Sequence, residues 1–116
     1  MSTDSILKRR SMEFAKRIVY LYKYLGAEQH EYILSKQILR SGTSIGANIA
    51  EAVYGSSRKD FIAKLQIAQK EAAETLYWLE LLSSTDYISD RLYQSLSEEC
   101  QELLAMLISS IKSSEK

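Results

Sequence analysis

Residues 31 to 54 read EYILSKQILRSGTSIGANIAEAVY. Leu34, Ile38, Ile45, Ile49 and Ala52 return at helical spacing, so an α-helix gathers these side chains on one stripe, and no β-type alternation competes with that reading. Gly55 follows as a stop. Residues 4–25 repeat the pattern with Leu7, Phe14, Ile18, Leu21 and Leu25, and Gly26 stands where a left-handed cap would end that helix. A third helix, residues 57–83, opens on Ser57, whose hydroxyl can cap it, with Asp60 in the first turn beside the positive end of the dipole. Its stripe is Phe61, Leu65, Ala68, Ala72, Leu76 and Leu79. After the polar break Ser83 to Asp86, Ser89 caps a fourth helix, residues 89–113, with Leu92, Leu96, Leu103, Leu107 and Ile111 on its apolar side. Four such helices joined by short loops pack most simply up-down-up-down, so the expected fold is an all-α antiparallel four-helix bundle, residues 1–116 forming a single domain.

Composition agrees with that reading. There is no proline and only 4 glycines in 116 residues, while 46% are hydrophobic and 26% charged, the balance of packed helices rather than of a disordered chain. Cys100 is the sole cysteine, which excludes an internal disulfide and leaves a cysteine zinc site short of ligands. Met1 to Lys16 lack the apolar run of a secretory signal, and Leu103 to Ile108, the longest apolar run, is far too short for a bilayer; the expectation is a cytoplasmic protein without a membrane partner. The formal charge is zero but unevenly spread, with ten bases and five acids up to Lys59 and the reverse beyond it. The basic and acidic halves can attract each other or face different partners.

Three features exceed what a minimal bundle requires. On the second helix Arg40, Ser44, Asn48 and Glu51 form a polar stripe, read as a structural hydrogen-bond network with Glu74 of the third helix as a further member. If Arg40 is buried against Glu51 or Glu74, breaking that pair should cost about 3 to 5 kcal/mol. The same helix has a smooth strip, Gly42, Gly46 and Ala50, and two glycines inside a helix point to close approach by a neighbour. The third helix is apolar on a second side, through Ile67, Trp78 and Leu81. A lone bundle needs one buried stripe per helix, so this side and the smooth strip are read as a subunit interface.

A nucleic-acid signal rests on the first helix, where Arg9, Lys16 and Lys23 recur every seven residues with Tyr20 nearby, the combination that phosphate contact and base stacking use. Net neutrality argues the other way. Catalytic constellations are missing from the sequence. His30 has no partner in register for a metal or a nucleophilic pair, no glycine loop cradles phosphate, and Glu71 and Glu74 lack the Glu-x-x-His pattern of a di-metal bundle. No enzyme activity, cofactor or small-molecule substrate is therefore expected.

The run Ile38 to Ala52, with Lys59-Asp60-Phe61 and Leu65-Gln66-Ile67-Ala68, resembles the four-helix-bundle family of proteins encoded in intervening sequences of 23S ribosomal RNA genes. The likeness covers nearly the whole chain and is most specific at Arg40, Ser44, Ile45, Asn48, Ile49, Glu51 and Glu74. It implies an up-down bundle assembled as a ring, a pentamer, without enzyme activity. The family is similar to the accessory variability proteins of diversity-generating retroelements, basic pentamers associated with reverse transcriptase and nucleic acid. The partners this implies are further copies of the chain, and RNA, DNA or a nucleic-acid enzyme. Ala52, where many relatives have glycine, and Lys70-Glu71, in place of a common Gly-Ser, are departures that bear on helix packing.

Overall fold

The apolar stripes become four helices. In the computed structural model, which describes residues 3–115, α1 spans Thr3–Ala27, α2 Leu34–Val53, α3 Arg58–Ser84 and α4 Asp90–Glu115. Each helix packs on its neighbour in sequence, α4 returns against α1, and the diagonal pairs do not meet, so the helices stand at the corners of an up-down-up-down bundle measuring 45 × 22 × 21 Å. Leu7, Phe14, Ile18, Leu21 and Leu25 of α1 enter the core with Ile38, Ile45 and Ile49 of α2, Leu65 and Leu79 of α3, and Leu96, Leu103 and Leu107 of α4. Phe61, Leu76 and Leu92 pack at its margin, partly buried.

Helix ends follow side-chain chemistry more than glycine placement. Ser57 Oγ accepts the Asp60 amide at 3.1 Å and Ser89 Oγ the Leu92 amide at 3.1 Å, so both serines cap the helices they precede. Gly26, read as a left-handed cap, lies inside α1; the left-handed residue is His30, at φ 52°. Asp86 does the same after α3, at φ 67°. Helix α2 begins at Leu34 rather than at Glu31, because the Glu31 carboxylate acts as its cap. Glu31 Oε1 accepts the Ser35 amide at 2.8 Å and Oε2 the Ile33 amide at 3.2 Å, while Ser35 Oγ donates back to the Glu31 carbonyl at 3.0 Å. The buried side chain thereby satisfies amides that the first turn leaves without helical partners.

The smooth strip on α2 serves the bundle itself. A Cβ on Gly42 would lie 2.8 Å from both Cγ atoms of Ile18, and one on Gly46 would lie 3.2 Å from Ser11 Oγ. The neighbour these glycines admit is α1 of the same chain; Gly42, buried, therefore faces α1 and not a second subunit, while Gly46 touches α1 and also lines the groove between the two helices. Gly42→Ala should therefore destabilise by about 1–2 kcal/mol, overpacking outweighing the helix propensity it gains. In an Ile18→Ala background the same change should stabilise by up to about 1 kcal/mol, because propensity alone remains. Denaturant melts of the four proteins test the sign reversal, and a Gly42→Ala penalty that persists without Ile18 would refute the contact.

Helix α1 is joined to α4 more sparsely than to α2, and charge spans that edge. Arg17 Nη1 meets Glu99 Oε1 at 2.6 Å and its Nη2 donates to Ser95 Oγ at 3.0 Å, while Arg10 pairs with Glu102. The basic and acidic halves of the sequence thus attract each other within one chain.

Candidate functional site

The expected polar network divides into three. Arg40 Nη1 donates to Glu71 Oε2 at 3.0 Å and Nη2 to Glu74 Oε2, and Trp78 Nε1 donates to that same Glu74 oxygen at 2.9 Å. Asn48 Nδ2 donates to the Ser44 carbonyl at 2.9 Å and lies 3.1 Å from Ser44 Oγ, a contact internal to α2. Glu51 takes no part in the Arg40 cluster; it pairs with Lys64 at 3.6 Å. The reason is axial distance: Glu51 lies three turns from Arg40, whereas Glu71 and Glu74 face it from α3. Glu71 belongs to the cluster although an acidic pair on a helix reads as a solvated face.

Arg40 is held above the ordinary guanidinium range, first by its hydrogen bond to Glu74, which outweighs the opposing effect of burial, and then by Glu71. The Glu74 carboxyl is held below the usual carboxylate range, first by the Trp78 indole and next by Arg40. A carboxylate whose folded pKa is depressed contributes stability that is present above its unfolded pKa and is lost as pH falls through the folded one. The Arg40 side chain is 51% exposed, so solvent screens the cluster and the cost of a fully buried pair does not apply. Arg40→Ala should cost about 1 kcal/mol at neutral pH, and the difference from wild type should shrink in acid as Glu74 protonates. Urea denaturation at neutral and acidic pH measures both, and a loss above about 3 kcal/mol would restore the buried-pair expectation.

A buried pair of hydroxyls links the same two helices. Ser41 and Thr75 are fully buried with their hydroxyl oxygens 2.9 Å apart, and Thr75 Oγ1 lies 2.8 Å from the Glu71 carbonyl. Each hydroxyl has one proton, so Thr75 donates to the carbonyl and accepts from Ser41. Nothing in the spacing of either helix singles out this pair, because a small hydroxyl on an apolar stripe reads as core filling.

Two of the exposed surfaces bear on assembly. The outer side of α3 presents Ile67 at 41% exposure and, about 15 Å along the helix, Tyr77 at 57%, with Leu81 half-buried beside Tyr77. Trp78 is partly buried, packed on the core and edge-on to Tyr77 at 4.9 Å between ring centres. Across the molecule, α1 and α2 enclose an apolar groove of about 610 Å³. Met12 and Ala15 line it from α1, and Gly46, Ala47 and Ala50 from α2.

Arg9, Lys16, Tyr20 and Lys23 are exposed on α1, but two of the cations have partners in the chain. Lys16 pairs with Glu13 at 3.2 Å, and Lys23 Nζ lies 5.9 Å from the centre of the Tyr20 ring. Among the described residues no cluster of three potential metal ligands occurs, and no helix is long and apolar enough to cross a membrane.

The fold is closely similar to a crystal structure of a protein of unknown function from the S23 ribosomal protein family of Bacteroides thetaiotaomicron VPI-5482. The two are 58% identical with a TM-score of 0.94, over 96% of this chain and 99% of that one. No curated protein matches the sequence. The family described as 23S rRNA-intervening sequence protein matches residues 3–109, within which lie the Arg40 cluster, the α1–α2 groove and the outer side of α3. With the bundle complete and nearly the whole chain matched, this protein belongs to the 23S rRNA-intervening sequence protein family.

Proposed function

We propose that the chain works as a non-enzymatic, cytoplasmic scaffold whose active form is a homo-oligomer, a ring of five. The observation that carries this reading is the outer side of α3, where Tyr77 and Leu81 lie together and Ile67 stands about 15 Å further along the helix, without cover from the rest of the bundle. A soluble monomer gains nothing by leaving large apolar side chains together in water, whereas a second subunit placed over them removes that surface from solvent. Trp78 strengthens the reading, because its indole is fixed by Glu74 and holds the Tyr77 ring edge-on, so the surface is preorganised. Sedimentation equilibrium at micromolar concentration tests the proposal. A particle five times the mass of the chain is expected, and a monomer would overturn it.

Nucleic-acid binding through Arg9, Lys16, Tyr20 and Lys23 has weaker support, since Glu13 already engages Lys16 and Tyr20 engages Lys23. A gel-shift titration separates the two readings: a nucleic-acid binder loses affinity steeply as salt rises and loses it again when the three cations become glutamate.

A further inference from the structure

The groove between α1 and α2 belongs neither to the core nor to the Arg40 cluster, and its two ends differ in polarity. The helices run antiparallel there: Lys8 lies over Tyr54 with Nζ 5.3 Å from the ring centre, Ser11 meets Gly46, and Ile18 meets Gly42. Lys8, Met12 and Ala15 recur at one-turn spacing on α1 and face Ala50, Ala47 and Thr43 of α2 in that order. Between them the groove runs about 10 Å along the bundle, two turns of helix. One end carries the cations Lys8 and Arg9, and the other is lined by Met12, Ala15 and Ala47.

The cationic end has no counter-charge beside it. Among the described residues lining the groove none is acidic, and the ion pairs of α1 are made by Arg10, Lys16 and Arg17. Further in, the hydroxyl protons are spent: Ser11 donates to the Lys8 carbonyl at 3.0 Å and Thr43 to the Leu39 carbonyl at 2.7 Å. The cavity, about 610 Å³, is of the size that takes a small ligand. A partner helix with an acidic edge would ask for cations along the whole groove, whereas here they are gathered at one end.

We propose that the α1–α2 groove binds a free anionic amphiphile, an unbranched alkyl chain with a carboxylate head. The carboxylate pairs with Lys8 and Arg9, and the chain lies over Met12, Ala15, Ala47 and Ala50 with its methyl end near Thr43. The small side chains of α2 let it approach that helix closely, and Met12, an unbranched thioether, adjusts to its shape. Burial of the chain supplies affinity, and the paired charge fixes its direction. The site lies within one protomer, so it stands apart from the homo-oligomer reading.

Decanoate, whose extended tail has about the length of the groove, is the probe, titrated below its micelle-forming concentration by isothermal calorimetry. One molecule per chain should bind saturably. Decanol on wild type, and decanoate on the Lys8→Gln/Arg9→Gln variant, should each bind about tenfold more weakly. Ala47→Glu, at an exposed position, should abolish binding while helical content by circular dichroism matches wild type. Should that variant unfold, Met12→Glu replaces it, at a position 58% exposed. Failure of decanoate to saturate wild type would overturn the proposal, as would equal affinity for decanol and decanoate. Recruitment of the protein to phosphatidylglycerol vesicles that free decanoate does not displace would assign the groove to a membrane surface instead. A wild-type oligomer that takes no decanoate and dissociates on Ala47→Glu would assign it to a second copy.

Discussion

In the folded protein at pH 8, Cys100 should react with a thiol reagent about a thousandfold more slowly than an unstructured cysteine. The thiol is fully buried in α4 and donates its proton toward the Ala72 carbonyl at 3.4 Å. Burial, with a smaller contribution from Glu99, pushes its pKa up to about 12 from the ordinary 9.0. The thiolate fraction falls tenfold for each unit of that rise, before access is considered. The same shift sets an alkaline limit on stability. Native Cys100 keeps its proton where the unfolded chain releases it, so the contribution is complete below about pH 9 and is lost as pH rises toward about 12. The whole effect is on the order of 4 kcal/mol. Cys100→Ala removes this group and leaves the rest of the chain unchanged. The difference between the two denaturation curves at pH 8 and pH 11 therefore isolates it. Labelling of the native protein at the rate of a free thiol would refute the burial.

That cysteine sits on an apolar stripe that is legible in the sequence. Periodicity places Leu96, Leu103 and Leu107 on the core side of α4 because a helix imposes its own geometry on every residue within it. The serine caps at Ser57 and Ser89 are local for the same reason: hydroxyl and amide lie within one turn. The start of α2 is not legible in this way, because an acid that caps a helix from outside has the same sequence signature as an acid in the first turn. The left-handed positions fall on His30 and Asp86, where the path between helices dictates the backbone, and glycine content does not reveal them.

The candidate site is less legible than the fold, since its geometry depends on which helix faces which. Sequence offers Glu74 as a partner for Arg40, yet whether Glu51 or Glu71 joins them depends on the rotation of α2 against α3. The small-residue strip shows the same limit. Gly42, Gly46 and Ala50 announce close approach, but only the packed bundle reveals that α1 approaches Gly42 and Gly46 while Gly46 and Ala50 also line the groove. Sequence patterns thus detect that a surface is unusual before they can say what lies over it.

Replacing Phe14 by alanine should cost about 3–5 kcal/mol, the largest loss expected from a single side chain in this bundle. Phe14 is wholly buried near the middle of α1, in the core shared by all four helices. Its removal withdraws a large apolar surface and leaves a cavity that rigid neighbouring helices only partly close. Relief by movement of α1 is restricted, because Gly42 and Gly46 already bring α2 against it as closely as Ile18 and Ser11 allow. Phe14→Leu keeps part of that volume and should cost about 1 kcal/mol. Met12→Ala, two residues away on the outer side of the same helix, should change the stability of the protomer by less than about 0.5 kcal/mol. Denaturant melts of the three variants, run under conditions that keep each one monomeric, measure these costs. If Phe14→Ala lost no more than Met12→Ala, α1 would not be facing the core along Leu7, Phe14 and Ile18, and the face assigned to the groove would have to be reassigned with it.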